Sequence, residues 1–286
     1  MKHIENAVLD DGSIVKGNLY QVRKGDLSGG TAGHLLRASG TTQRFDLGAR
    51  LVTADGRVFR YAKAGGTLVS GYGCEPWNQA HIKRGQIAAN APIGVTSVVV
   101  DVAATDGIQT AHAGPSNGVI SKDELKGGYI AMEQIVGEVD NVQNRMILGN
   151  TATGVGGGEM TVKFDAPLDV ALTVDTEYAS CIASPYADVR STTYGSAPCI
   201  GVPCVIGAAG HYLWIQTWGI CWVVAQPRIG GQLYASQVVF RHDGTVDLHI
   251  YGDGNITCQQ HGGFVVTEFK EMTGGYGAWV MLQISV

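Results

Sequence analysis

The sequence predicts an all-β protein, with short antiparallel strands in sandwich- or barrel-like modules and minor short helices. Three observations predict it. Glycine accounts for 41 of the 286 residues, about twice the usual share, and cuts the chain into pieces too short for helices of ordinary length. Apolar and polar residues alternate at strand period in several runs. Asp-Gly pairs lie between such runs, where a hairpin needs positive φ.

The elements follow in order. "RLVTADGRVFRYAKAG" places two strands around Asp55 and Gly56. "TSVVVDVA", residues 96–103, is β-branched and suits a strand. In "GEMTVKFDAPLDVALTV", Met160, Val162 and Phe164 face one way, and Thr161, Lys163 and Asp165 the other. Pro167 breaks that run; Val170, Leu172 and Val174 resume it. "QVVFRHDGTVDLHIYGDG" reads as a hairpin with a two-residue type I′ turn at Asp243-Gly244. Its alternation puts Val246, Leu248 and Ile250 on one face and Asp247, His249 and Tyr251 on the other. Residues 19–22, 263–269 and 278–284 add further strands. Two short helices are expected. "SKDELKGG" carries a capping box in Ser121 and Glu124. "EPWNQAHIKRG" has Pro76 in its first turn and Gly85 as terminator. Three regions result: 1–75, an N-terminal arm and hairpin region; 76–190, a central β module; and 191–286, a C-terminal β region with a tryptophan-rich core. Residues 1–30 are read as an extended arm or, equally, as an edge hairpin.

Charged residues make up only 16% of the chain and the net charge is −5. A nucleic-acid or membrane-surface binder would carry a basic stripe instead, so neither partner is expected. "MKHIENAVLDDGSIV" shows no apolar leader core, and no run of about 18 apolar residues occurs. Cys74, Cys181, Cys199, Cys204, Cys221 and Cys258 form no CxxC pair. They are expected to be reduced thiols acting as small hydrophobes.

Candidate chemistry is thin. His242, Asp243, Asp247, His249 and Asp253 could offer metal ligands, but the polar face of a hairpin explains the same residues. "TGVGGGE" lacks GK[ST] and precedes a strand, which excludes a phosphate loop. No GxSxG elbow is present, and eight histidines are spread along the chain. Glu133, Glu138, Asp140, Glu159 and Asp165 are too scattered to pair for glycoside cleavage. The expectation is therefore no catalytic, cofactor-binding or metal-binding residue, no cofactor, and no enzyme.

"GHYLWIQTWGICWVV" holds Trp214, Trp218 and Trp222 at a spacing of four, which suits a helix or a strand face alike. Its β-branched residues favour strand, and Gly219 would cost a helix about 1 kcal/mol. Two short strands, or one bent strand with a bulge at Gly219, are expected. The three indoles would then share one buried face, in preference to forming a sugar-stacking platform.

The run "CIGVPCVIGAAGHYLWIQTWGICWVV" resembles a family of tailed-bacteriophage virion structural proteins, of the capsid decoration or cement type. "FDLGARLVTADGRVFRYAKAGGTLVSGYG" resembles that family's N-terminal block, and "GGYIAMEQIVGEVDNVQNRMILGNTATGVGGGEMTVKFDAPLDVALTV" its central module. "WIQTWG" is the most specific element, and "GAWVMLQISV" fits the family's closing strand. Residues 240–269 match nothing in the family. The resemblance implies a virion protein on the capsid surface that binds the major capsid protein and itself, as a dimer or trimer. It implies no catalytic residues. The alternatives are a head or tail fibre module that binds a receptor or carbohydrate and, more remotely, a virion-associated hydrolase.

Overall fold

The computed structural model describes residues 6–9, 11–16, 35–76, 81–107, 117–136, 139–191, 198–226, 229, 237–249, 260–267 and 277–285. These residues form β1 (Asn6–Val8), β2 (Ile14–Lys16), β3 (Arg50–Val52), β4 (Val58–Lys63), β5 (Cys74–Pro76), β6 (His81–Gln86), β7 (Ser97–Val102), β8 (Tyr129–Val136) and β9 (Val139–Asn150). They continue with β10 (Gly158–Phe164), β11 (Tyr178–Ile182), β12 (Val189–Ser191), β13 (Val202–Pro203), β14 (Tyr212–Val224), β15 (Gln237–Phe240), β16 (Val246–Leu248), β17 (Gln260–Thr267) and β18 (Gly277–Gln283). The protein is all-β, with antiparallel strands and barrel-like closure.

The chain divides into two compact units, one of residues 1–77 and 186–286, the other of residues 78–185. The borders fall near the sequence boundaries at 75 and 190, but the first and last regions share one unit. Their strands lie in one sheet, in the order β1-β2-β3-β4-β14-β18-β17-β15-β16, with β13 beside β14. A parallel bridge from Val246 back to Ala225, with the Gln226 N–H donating to the Val246 carbonyl at 2.9 Å, returns β16 to the end of β14. Five strands thereby close around Val223, Val238, Phe240, Val280 and Leu282. The 78–185 unit closes in the same way. Its order is β6-β11-β8-β9-β10-β7, and an Ile87–Val100 bridge joins the last strand to the continuation of the first. Closure leaves few free sheet edges, which are sites of unwanted strand pairing.

The Asp-Gly turns are built alike. Gly12, Gly56 and Gly244 all lie at positive φ. In each, the glycine N–H donates three residues back, to Leu9, Thr53 and Arg241 respectively. A second bond closes the loop, from Leu9, Thr53 and Arg241 to the carbonyls of Ser13, Arg57 and Thr245. These are three-residue loops with one left-handed residue, not the two-residue type I′ turn expected at Asp243-Gly244. The aspartate explains the choice. Asp11 and Asp243 accept the N–H two residues on, at 3.0 Å each, which holds the aspartate on the negative-φ side.

Other expectations shift. Within 1–30, the described residues form the β1–β2 hairpin, and Ile14 pairs with Val52; this is the edge-hairpin alternative. The expected helix over "EPWNQAHIKRG" is instead the ends of β5 and β6, where Gly85 pairs with Ala179; sheet pairing overrides the local helix signal. "SKDELKGG" forms turns, in which the Ser121 N–H donates to the Glu124 carboxylate at 2.5 Å. Residues 170–174 form no strand; Leu172 makes a single bridge to Ala91. The strand expected at 19–22 lies outside the described residues.

β14 is one strand carrying a bulge. Gln216 lies opposite Phe59 and Trp218 opposite Val58, so one extra residue is inserted. Gly219, which follows, sits at φ +88°, and a Cβ there would lie 2.9 Å from the Arg57 Cγ. The Gln216 amide donates to the Trp218 and Ile220 carbonyls at 3.1 and 2.9 Å. An odd insertion inverts the side-chain parity of everything that follows. Gly219→Ala should lower the unfolding free energy by about 1–2 kcal/mol through backbone strain alone. Gln216→Leu should lower it by about 1–3 kcal/mol through two unsatisfied carbonyls. Urea denaturation monitored by circular dichroism measures both; unchanged midpoints would count against the bulge.

Candidate functional site

The inverted parity separates the tryptophans. Trp214, before the bulge, is 1% exposed and packs among Phe45, Phe59 and Tyr61. Trp222, after it, is 45% exposed. The single buried face expected for the three indoles is therefore corrected, because the inserted residue sends Trp218 and Trp222 to the opposite side from Trp214. Cys221 and Val223 take the inward positions instead.

The outward positions form a continuous apolar face. Trp222 lies directly opposite Trp279 of β18, and Ile220 opposite Met281. Phe264 of β17 lies on the far side of Met281. Val266, beside it, is exposed, and Trp279 is 41% exposed. Cross-strand partners point the same way, so these side chains form one patch. Glycines fix the Trp222 indole, since a Cβ at Gly71 or Gly277 would come within 2.6 or 2.3 Å of its ring. The side chains together expose on the order of 400 Å² of apolar surface, the size of the largest patch on a typical monomer, which is often functional. The 78–185 unit carries its own exposed row, in which Ile182, Tyr129 and Met146 face one another across β11, β8 and β9.

A second feature of the larger unit is a cavity of about 270 Å³. Phe45, Tyr61, Tyr212 and Trp214 form its aromatic floor, and loop 39–44 its rim. The rings interlock: Phe45–Tyr61, Phe45–Trp214 and Tyr61–Trp214 centroids are 5.0, 5.1 and 5.1 Å apart. Each such pair contributes about 0.5–1.5 kcal/mol beyond burial. Gly40 pairs with Tyr212 through both backbone bonds, which pins the rim to β14. The Tyr61 hydroxyl accepts from the Arg44 N–H at 3.2 Å. Burial pushes that hydroxyl above its ordinary range, so it keeps its proton.

The sequence candidates for chemistry do not assemble. Asp247 is buried, with its carboxylate held by Arg241 at 2.7 Å and by the Leu248 N–H at 2.9 Å. Asp243 caps its turn, His242 is exposed, and Asp253 lies outside the described residues. Among the described residues no three His, Cys, Asp or Glu side chains could share a metal. Glu133 pairs with Arg84, and Asp165 accepts the Met146 N–H. Glu159 is exposed on β10, and Glu138 and the side chain of Asp140 lie outside the described residues. "TGVGGGE" is a tight turn in which Gly154 pairs with Gly157. Cys74, Cys181, Cys199, Cys204 and Cys221 are free thiols. Burial pushes Cys181 and Cys199 up to about 12 and Cys204 to about 11, and raises Cys74 and Cys221 as well. They are packing groups, not nucleophiles.

The outward face and the pocket were hidden in the sequence because each draws on strands far apart in the chain. The nearest signal for the face was the pairing of two apolar alternations, Ile220 with Trp222 and Trp279 with Met281. Searches against protein families, curated proteins and solved structures find no match.

Two outcomes follow from this geometry. Iodide should quench Trp222 and Trp279 emission and spare Trp214. Trp222→Phe/Trp279→Phe should shrink the quenched component, and Trp214→Phe should remove a shielded, blue-shifted one. Native iodoacetamide labelling mapped by mass spectrometry should leave the four buried thiols, Cys74, Cys181, Cys199 and Cys221, unmodified until the chain unfolds.

Proposed function

We propose that the chain is a structural component of a tailed-phage capsid, a decoration or cement protein that binds the outer surface of the major capsid shell and stabilises it. The observation that carries this reading is the exposed Trp222–Trp279 face, and the "WIQTWG" resemblance supplies the partner. A patch of on the order of 400 Å² is about half of what one partner contributes to a standard protein interface. The exposed row on the 78–185 unit offers a second apolar contact. A protein that joins neighbouring shell subunits needs contacts of this kind, and repetition over a shell converts modest single-site affinity into avidity.

The chemistry of the face suits a protein partner. Aromatic and methionine side chains are enriched at interface centres, and charge is depleted there. Closed barrels hold those side chains on paired strands, so little ordering entropy is lost on docking. No catalytic step belongs to this reading, and self-association as a dimer or trimer at the shell's symmetry positions is part of it.

The test uses shells stripped of accessory proteins. The purified chain should bind them saturably, at a stoichiometry fixed by shell symmetry. Trp222→Ser/Trp279→Ser should keep its circular dichroism spectrum and lose at least about tenfold in apparent affinity, since central aromatic anchors dominate interface energy. Failure of the unaltered chain to bind, or equal binding by the variant, would overturn the proposal.

A further inference from the structure

The aromatic cavity is separate from the docking face and lies on the other side of the bulge in β14. We propose that it is a binding site for a single acidic sugar residue, a pyranose ring that carries a carboxylate.

Size sets the first limit. At about 270 Å³ the cavity lies just below the usual range for drug-sized ligands, which suits a single ring. Its composition sets the second. Of the four aromatic side chains in the floor, Phe45, Tyr61 and Trp214 are almost wholly buried and Tyr212 is half-buried, so Tyr212, backed by the other rings, is the surface against which the C–H face of a sugar can lie. Ser39, Thr41 and Thr42 on the rim supply hydroxyls, which can donate and accept and so match sugar hydroxyls. The Tyr61 hydroxyl keeps its proton and already accepts from Arg44, so it is placed to donate to an incoming oxygen.

Charge sets the third limit. An aromatic cage of this kind could hold a quaternary ammonium, but among the described residues no carboxylate lines the cavity. Arg44 lines it, and the Lys63 ammonium sits 5.9 Å from the centre of the Tyr212 ring. The Arg44 guanidinium has no acidic partner among the described residues. Arg44 lines the cavity and its charge acts on the Tyr61 hydroxyl; a guanidinium of this kind selects a carboxylate, which it can engage through two parallel bonds.

Preorganisation supports the assignment. The rim is held by the paired bonds between Gly40 and Tyr212. The Gln43 amide also donates to the Phe45 carbonyl at 2.9 Å. A loop fixed in this way gives up little entropy when a ligand binds.

The experiment titrates the full chain with D-glucuronic acid, D-glucose and benzoate, read by Trp fluorescence and by saturation-transfer NMR on the ligand. Glucuronate should bind saturably with a Kd on the order of 1 mM. Glucose should bind about tenfold more weakly, the loss of one charge-assisted contact. Arg44→Gln leaves the backbone N–H to Tyr61 in place and should erase the preference for glucuronate over glucose. No saturation by glucuronate, benzoate binding as tightly as glucuronate, or an undiminished preference in Arg44→Gln would each overturn the assignment. Shell binding should be unaltered in Arg44→Gln, so failure here is distinguishable from failure of the docking face.

Discussion

One inserted residue in β14 organises the larger unit. Before it, the strand pairs with β4; after it, the strand pairs with β18. A regular strand of this length would keep its even-numbered side chains on one face throughout. The bulge lets the same strand serve two environments. Its first half is buried on both faces, Trp214 among the aromatic residues and Leu213 and Ile215 in a cluster with Ala62, Leu68 and Val189. Its second half covers a barrel on one face and meets solvent on the other. "WIQTWG" is the local chemistry of that switch. Gln216 satisfies the displaced carbonyls, and the Thr217 hydroxyl donates to the Ser285 carbonyl at 2.7 Å. Gly219 takes the backbone angle that a side chain would oppose.

That switch also explains why two unlike surfaces sit on a single strand. The pocket uses Tyr212 and Trp214 from the half before the bulge. The outward apolar face uses Ile220 and Trp222 from the half after it. Without the insertion, Trp222 would point to the side of Trp214, and Cys221 and Val223 would leave the barrel core. The hydrophobic cost of that exchange ties the outward face to the fold, because small aliphatic side chains fill the barrel and indoles would overfill it.

The sequence made the period of the strands legible, but not their parity or partners. Alternation in 158–164 is legible because the run obeys the two-residue repeat without interruption; in 246–248 Val246 and Leu248 share the core as expected, but Asp247 between them is buried as well. The Asp-Gly turns were legible as turns. Their loop length was not, since it depends on the aspartate bonding two residues ahead. The Trp faces were misassigned because a bulge residue such as Thr217 has no composition of its own; only Gly219, two residues on, hinted at it. The helix expected over 75–85 fails for a different reason: Pro76 and Gly85 are helix punctuation locally, while pairing with β11 and β12 decides the outcome. The pocket was unreadable because Phe45, Tyr61 and Trp214 meet only through the β3–β4–β14 order.

Closed barrels and exposed aromatic residues pull in opposite directions, and their combination constrains what the surface is for. Closure leaves few free edges among the described strands, β1 at the end of its sheet being one, and so limits pairing through the backbone. Yet it leaves two indoles, a phenylalanine and aliphatic neighbours outside, on a chain with few charges to keep copies apart. Were the face merely tolerated, polar residues at 220, 222, 264 and 279 would have met the same strand geometry at no loss to the core, since these positions point away from it. The glycines at 71 and 277 go further, opening room under the Trp222 ring where any other residue would push it away. An outward side chain whose seat is built into two neighbouring segments is held in one orientation, so the docking proposed for this face would cost it little ordering entropy.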